Sequence, residues 1–277
     1  MKTIKPFLIL CVALCFATSC KKDVDMMLVQ KTALENVDIR QIEVSDAWQV
    51  KVVADSNSYV ILEYSAYLEN NLKANMEGTK LEIGFAGSVY PAINSVYRAI
   101  VHTPQIEKLD ADDASQIQFE GEFTGHQLEI ELSDASHCNG PVFIGQSCNL
   151  KMEDASLLTG LHFVGNSCIV ELEHASQFNG QIEADDQLEI SLEDASRFVN
   201  KGGQTVRANI KAHDASRLNM VETLVNEMYV DLADGSEATV WVELLLEGKA
   251  RDASTLYYKG HPQMNVDCSD DSQLIPF

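Results

Sequence analysis

Apolar and polar residues alternate along much of this chain. At 128–132 the sequence is Leu-Glu-Ile-Glu-Leu, and apolar residues have the same spacing at 168–172, 188–192 and 228–232. Alternation with a period of two residues is typical of a β-strand with one buried face. The pattern therefore predicts a series of strands, and each of these strands ends just before an Asp-Ala-Ser sequence or a close variant of it.

These three-residue sequences recur at a nearly constant spacing. The steps between them are 21, 20, 20, 20, 20, 20, 18 and 18 residues. A fixed period near twenty residues indicates a solenoid. The first residues of the repeats are Asp113, Asp134, Asp154, His174, Asp194, Asp214, Asp234, Asp252 and, in a degenerate form, Asp270.

Each repeat has three bends and no helical periodicity, which favours a β-helix over a solenoid whose repeats contain helices. Glycines at 125, 145 and 165 and at 140, 160 and 180 mark two bends in addition to the Asp-Ala-Ser corner. The sequence therefore predicts an all-β fold, a parallel β-helix with coils of about twenty residues stacked about 4.8 Å apart.

The corner itself has two interpretations. Continued alternation would point Asp outward, Ala inward and Ser outward, and Asp could close an Asx-type turn with a backbone N–H two residues on. We favour this corner brace, with no metal or cofactor. The alternative is a weak calcium site, because carboxylate oxygens are ligands that calcium prefers. Both interpretations concern the same carboxylates, those of Asp113, Asp134, Asp154, Asp194, Asp214, Asp234 and Asp252.

Two cysteines fall on the same position of successive coils. Cys148 and Cys168 are twenty residues apart, so both should face the core. Their Cβ atoms would project in parallel, further apart than the ~3.8 Å that a disulfide prefers. We predict two buried thiols rather than a bond.

The N-terminus resembles a bacterial lipoprotein signal. Lys2 and Lys5 precede an apolar run and the sequence Ala-Thr-Ser-Cys, which predicts a signal peptide at 1–19 and lipidation of Cys20. A lipid-anchored tether would follow at 20–36. We therefore predict that the protein is attached to a membrane through its N-terminal lipid.

The remaining chain divides into two predicted parts. Residues 37–104 form a β-rich N-terminal part, with strands around a corner at 40–53 and one short helix within 66–78 that ends at Gly78. Residues 105–277 form the Asp-Ala-Ser repeat β-helix.

The charge excludes some partners. Without residues 1–19 the chain has 18 basic and 42 acidic side chains, a net charge of −24. Such a surface repels nucleic acid and anionic head groups. We therefore predict no nucleic-acid partner.

Catalytic motifs are missing from the sequence. There is no GxSxG, HExxH or phosphate loop, and the even coil length leaves no room for long active-site loops. We predict a non-enzyme. A group of late aromatic residues could be a sugar-stacking patch, although core or flanking positions are favoured: Tyr229, Trp241, Tyr257 and Tyr258.

The order of these features resembles the head GIN-domain family of Gram-negative lipoproteins, described as auto-transporter adhesins. The resemblance covers roughly 37–275 and includes the lipobox, "IEVSDAWQVKVV", "TKLEIGF" and the repeats, although Asp here replaces the Gly found before Ala-Ser in many relatives. It implies an exported β-helical protein of adhesin type. A lipid-anchored rod with two long strand faces suits repetitive ligands, so we predict binding of a glycan or surface protein at the outer membrane or cell surface. The alternatives are a scaffold that self-associates through its coil ends and a polysaccharide-active enzyme.

Overall fold

The computed structural model describes residues 24–277, and the predicted signal peptide and Cys20 lie outside this range. Most of the described residues lie in β-strands, with one 3-10 helix at Ala66–Asn71. Within residues 24–277, no helix is long and apolar enough to cross a bilayer.

Seven strands precede the regular coils. They are β1 Leu28–Glu35, β2 Gln41–Val44, β3 Gln49–Ala54, β4 Tyr59–Ser65, β5 Leu72–Glu77, β6 Lys80–Phe85 and β7 Tyr97–Thr103.

The regular coils contain sixteen further strands. They are β8 Lys108–Ala111, β9 Gln116–Glu120, β10 Glu122–Thr124, β11 Gln127–Leu132, β12 His137–Asn139, β13 Val142–Ile144, β14 Ser147–Met152, β15 Leu157–Leu172, β16 Gln177–Leu192, β17 Arg197–Asn200, β18 Gln204–Ala212, β19 Arg217–Leu232, β20 Glu237–Ala250, β21 Thr255–Lys259, β22 Gln263–Cys268 and β23 Gln273–Pro276.

Successive coils pair in parallel, and each residue usually lies opposite the residue twenty positions further on. Leu128 lies opposite Cys148, and Cys148 lies opposite Cys168. We call the strand that precedes each corner the pre-corner strand and the strand that follows it the post-corner strand. The predicted parallel β-helix is confirmed.

The alternating apolar residues form one continuous core. Leu128, Ile130 and Leu132 are all buried, as the period of two residues requires. The rings of Phe178 and Phe198 stack with their centroids 4.8 Å apart. Burying each such ring stabilises the fold by roughly 1.5–3 kcal/mol. Cys148 and Cys168 are also buried in this core as free thiols.

Close approach of neighbouring coils explains some of the glycines. A Cβ atom built on Gly165 would lie 2.4 Å from the carbonyl oxygen of Gly145 and 2.5 Å from the ring of Phe163. No side chain fits between these atoms. The glycines therefore allow consecutive coils to pack around the phenylalanine rings.

The coil stack begins earlier than residue 105. Strand β2 pairs in parallel with β6 on one side and β8 on the other, while β3 lies between β7 and β9. Asp46 and Ala47 have the same positive φ angles as the later corners. The predicted boundary at 104/105 therefore falls inside the solenoid.

The predicted helix at 66–78 is only partly correct. The 3-10 helix ends at Asn71, and β5 then forms an antiparallel hairpin with β6, with Gly78 at φ +64° in the turn. Leu72 and Met76 contact the core, so burial favours a strand over a second helical turn. The predicted tether at 20–36 also contains a strand, β1, which pairs with β4.

The two ends of the solenoid differ. Antiparallel strands β5, β4 and β1 cover the N-terminal end. At the other end, β22 and β23 pair with β20 and β21, and no strand within residues 24–277 pairs with their outer edges. The C-terminal end is therefore open to backbone pairing.

Candidate functional site

Each corner is a tight turn made by two residues in the left-handed region. Asp134 and Ala135 have φ angles of 49° and 61°, and the N–H of Ser136 donates to the carbonyl of Ser133 at 3.0 Å. Two consecutive positive φ angles and an i to i+3 hydrogen bond are the features of a type I′ turn. The turn aligns the two strands that flank it.

The predicted orientation of the corner residues is wrong by one position. Ala135 and the equivalent alanines are exposed, whereas Ser136 and its equivalents are buried. The prediction assumed that alternation continues through the corner. Two left-handed residues interrupt it, so Asp and Ala both face solvent and the small serine takes the inward site.

The backbone provides the brace. The N–H of Ala135 donates to the carbonyl of Asp154 in the next coil at 2.9 Å, and the equivalent bond recurs along the stack. The carboxylate of Asp46, at the earlier corner, accepts from the N–H of Phe85 at 2.9 Å. Among residues 24–277, no backbone N–H donates to the carboxylates at the later corners, namely Asp113, Asp134, Asp154, Asp194, Asp214, Asp234 and Asp252. The predicted Asx-type closure is therefore wrong, although the corner does hold successive coils together.

The corner carboxylates form an exposed acidic ridge. His174 interrupts it and lies 3.5 Å from the carboxylates of both Asp154 and Asp194. Within the described residues, no three His, Cys, Asp or Glu side chains are grouped so that they could hold a metal ion. The carboxylates of the ridge give negative charge to one edge of the solenoid, but they are spread along it and do not converge on a single metal position.

One acidic group at the start of the ridge is unusual. Burial and the neighbouring carboxylates of Asp113, Asp110, Asp134 and Asp46 raise the pKa of Asp112 to about 6. One of its oxygens is buried without a hydrogen-bond partner in the described part of the chain. Asp112 therefore destabilises the fold when it is charged.

The outward surface of the post-corner strands is mostly uncharged. In one column across the coils, Lys51 is the only charged residue of ten. Amide and hydroxyl side chains dominate the column. It consists of Lys51, Gln118, Asn139, Thr159, Asn179, Val199, Asn219, Thr239, Tyr257 and Ile275.

The equivalent column on the pre-corner strands is mostly charged. Nine of its ten residues are ionic, and acids outnumber bases there. It consists of Glu43, Asp110, Glu131, Lys151, Glu171, Ser191, Lys211, Asp231, Lys249 and Asp267.

Ion pairs occupy many of these pre-corner charges. Asp231 lies 3.2 Å from Lys249 and 2.7 Å from Arg251. Burial opposes ionisation of Asp231, but hydrogen bonds from these two cations lower its pKa overall. The pre-corner surface is thus partly engaged with itself. In the post-corner column, no hydrogen bond within the described residues occupies the side-chain amides of Gln118 and Asn139, whereas Oδ1 of Asn219 accepts from the N–H of Val221 at 3.2 Å and Oδ1 of Asn179 is buried.

A shallow groove of about 570 Å³ crosses the post-corner strands near the N-terminal end. Gln116, Gln118, His137 and Asn139 line it, together with Arg98. The positions three and five residues after each corner Asp form this surface. Sequence reasoning missed it because it concentrated on the Asp-Ala-Ser residues themselves, although the recurrence of Gln, Asn and Thr at a fixed phase was visible.

The late aromatic residues do not form one patch. Tyr229 lies on the pre-corner surface, Tyr257 lies on the post-corner surface, and Tyr258 packs partly against the core. The ring of Trp241 is covered by the ammonium group of Lys259 at 3.7 Å. These residues therefore occupy flanking and core positions, which is the interpretation that the sequence favoured.

Residues 38–262 match the family described as "Putative auto-transporter adhesin, head GIN domain". The chain belongs to this family. The resemblance noted from the sequence is confirmed, and an adhesin-type family indicates an exported or cell-surface protein. No curated protein matches the chain.

Solved structures share the head GIN fold. A "putative lipid binding protein" from Parabacteroides distasonis ATCC 8503 is 13% identical with a TM-score of 0.65, over 90% of this chain and 96% of that one. A "putative adhesin" from Parabacteroides merdae ATCC 43184 is 11% identical with a TM-score of 0.66, over 92% and 98%. Identities this low establish the fold alone.

Proposed function

We propose that this head GIN-domain protein is a lipid-anchored, non-catalytic binding protein of adhesin type on the outer membrane or cell surface. It binds polysaccharide along its post-corner surface. The observation that carries the proposal is the column of uncharged amide and hydroxyl side chains on those strands.

The chemistry of that surface suits a glycan. Asn and Gln side chains each offer a donor and an acceptor, which matches the hydroxyl groups of sugars. Arg197 and Arg217 lie opposite each other on adjacent post-corner strands and are exposed, so they can pair with the carboxylates of acidic sugars. A repetitive surface and a repetitive polymer can form the same contact at several coils.

The groove offers little for catalysis. Glycosidases usually need two carboxyl groups on either side of the bond that is cleaved. Among the described residues, Glu63 is the only carboxylate that lines the groove. This supports binding without turnover.

The test is incubation of the purified mature protein with immobilised neutral and acidic polysaccharides. We expect retention on at least one polymer without new reducing ends or unsaturated products. Turnover above a protein-free blank would defeat the non-catalytic assignment. A lack of retention on every polymer would defeat glycan binding.

A scaffold that assembles end to end is the second candidate, and the open edges of β22 and β23 favour it. Analytical ultracentrifugation over a range of protein concentrations tests it. A concentration-dependent series of oligomers supports the scaffold. A monomer at all concentrations contradicts it.

A further inference from the structure

The loop between β6 and β7 carries two large apolar side chains that nothing covers. Tyr90 is 92% exposed and Ile93 is 89% exposed, the highest values among the large hydrophobic side chains of residues 24–277. Water around such side chains is unfavourable, and grouped apolar exposure usually marks an interaction site.

A second exposed apolar segment lies at the same end of the solenoid. Met27 and Leu28 are 64% and 59% exposed, and Val24 and Met26 are also exposed. These residues lead into β1, the outermost strand of the N-terminal end.

Hydrogen bonds connect both segments to the 3-10 helix. The N–H groups of Ala66 and Tyr67 donate to the carbonyls of Met27 and Asp25, at 2.9 and 3.1 Å. The hydroxyl of Tyr67 accepts from the N–H of Ala92 at 2.7 Å. These bonds place the two segments beside the same 3-10 helix, at the N-terminal end of the solenoid. We call their exposed apolar side chains together the apolar pole: Val24, Met26, Met27, Leu28, Tyr90 and Ile93.

The sequence places this pole beside the proposed anchor. Only three residues separate Cys20 from Val24. An extended chain spans at most about 3.6 Å per residue, so Val24 lies within about 14 Å of Cys20. A lipid on Cys20 would therefore keep Val24, at the edge of the apolar pole, within about 14 Å of the lipidated residue at the membrane surface.

We propose that the apolar pole rests in the membrane interface, with Tyr90 and Ile93 inserted among the head groups and upper acyl chains. This inference rests on the proposed lipid anchor. Tyrosine favours the interface because its ring is apolar and its hydroxyl can remain in water. The solenoid then projects away from the membrane by about 4.8 Å per coil, with its open C-terminal end outermost.

The contact is apolar rather than electrostatic. The mature chain has a net charge of −24, so its field opposes anionic lipids. Beside the pole, Lys31 lies 3.9 Å from Glu69 and is partly neutralised by it, and the carboxylate of Asp25 accepts from the N–H of Met27 at 3.0 Å. Insertion should therefore occur on zwitterionic membranes and persist in high salt.

The test uses the mature lipidated protein in phosphatidylcholine vesicles with brominated acyl chains, which quench nearby tryptophan. The variant Tyr90→Trp reports on the pole, and the control Tyr229→Trp reports on an exposed site near the C-terminal end of the solenoid. Each variant is compared with the parent protein, whose own tryptophans are Trp48 and Trp241. Intact mass measurement establishes the lipid on Cys20.

We expect brominated lipid to reduce the added emission at position 90 and to leave that at position 229 unchanged. If the chain is lipidated and position 90 is not quenched, or both positions are quenched alike, this inference is wrong while the anchor stands. If mass measurement finds no lipid on Cys20, the anchor fails and the inference fails with it.

Discussion

The strands on either side of each corner share one backbone geometry and one core, but their outward surfaces differ. The pre-corner column has nine charged residues of ten, and the post-corner column has one. Both columns lie on strands that pair in parallel with the next coil, so strand pairing does not explain this difference; ion pairs within the pre-corner surface account for part of its charge. We infer that the inward half of each coil maintains the fold, while the post-corner outward half is available for binding.

The largest expected effect is at the inward side of the corner. Ser156→Leu places a large side chain at a fully buried site and should lower the free energy of unfolding by about 1–3 kcal/mol or more. Ala155→Leu is the control, because Ala155 is exposed and should tolerate the change better. Denaturant unfolding measures both variants. A greater loss for Ala155→Leu would mean that our assignment of the inward residue is wrong.

The next largest loss of stability is expected where neighbouring coils approach each other closely. In Gly165→Ala, the new Cβ would meet the carbonyl oxygen of Gly145 at 2.4 Å, so neighbouring coils must move apart. We expect a loss of about 1–3 kcal/mol. Gly235→Ala is the control, since no atom lies within 4 Å of its added Cβ and most other corners carry Ala at this position. Its φ of +70° disfavours any side chain, so this variant should lose about 1 kcal/mol without a clash. Equal unfolding midpoints for the two variants would contradict the packing argument.

Acidic pH should relieve the destabilisation caused by Asp112. Its pKa in the folded protein, about 6, is above the usual value of 3.8, so the folded state binds the proton more tightly than the unfolded state. This contribution to stability rises as pH falls from about 7 towards 4. Asp112→Asn removes the buried charge. It should therefore raise the melting temperature above that of the wild type, and by more at pH 7 than at pH 5. A difference that does not change with pH would show that Asp112 has no raised pKa.

The smallest expected effect is on the acidic ridge. Asp154→Asn removes one exposed carboxylate whose side chain accepts no backbone hydrogen bond, so stability should change by about 0.5 kcal/mol or less. Calcium should likewise shift the melting temperature no more than magnesium at equal ionic strength. A large loss in Asp154→Asn, or a saturable shift specific to calcium, would give the ridge a role that the post-corner surface does not share.

The sequence was sufficient for the periodic part of the fold. Leu128, Ile130 and Leu132 alternate with polar residues, and stacking requires the next coil to repeat that phase, so the parallel β-helix followed directly. The corner was harder, because alternation gives no sign that Asp134 and Ala135 both adopt positive φ. Continued alternation therefore placed Ala rather than Ser inside.

The non-repeating parts could not be predicted in the same way. The segment at 66–78 contains residues that suit a helix, but its second half, β5, pairs antiparallel with β6, and Leu72 and Met76 pack against the core. The position of β2 and β3 between β6–β7 and β8–β9 depends on contacts distant in sequence. The candidate site was missed because its side chains come from many coils and form a column only after stacking.

The central claim is that the post-corner surface, and not the pre-corner surface, binds the polysaccharide. Two matched variants test it: Asn139→Asp with Gln177→Glu on the post-corner strands, and Asn149→Asp with Gln127→Glu on the pre-corner strands, all four at exposed positions. Both pairs make the same isosteric changes and add two negative charges. We measure the retention of each protein on an immobilised polysaccharide that contains uronic acids. Our account predicts weaker retention for the post-corner pair and unchanged retention for the pre-corner pair, and equal retention, or a loss confined to the pre-corner pair, would contradict it.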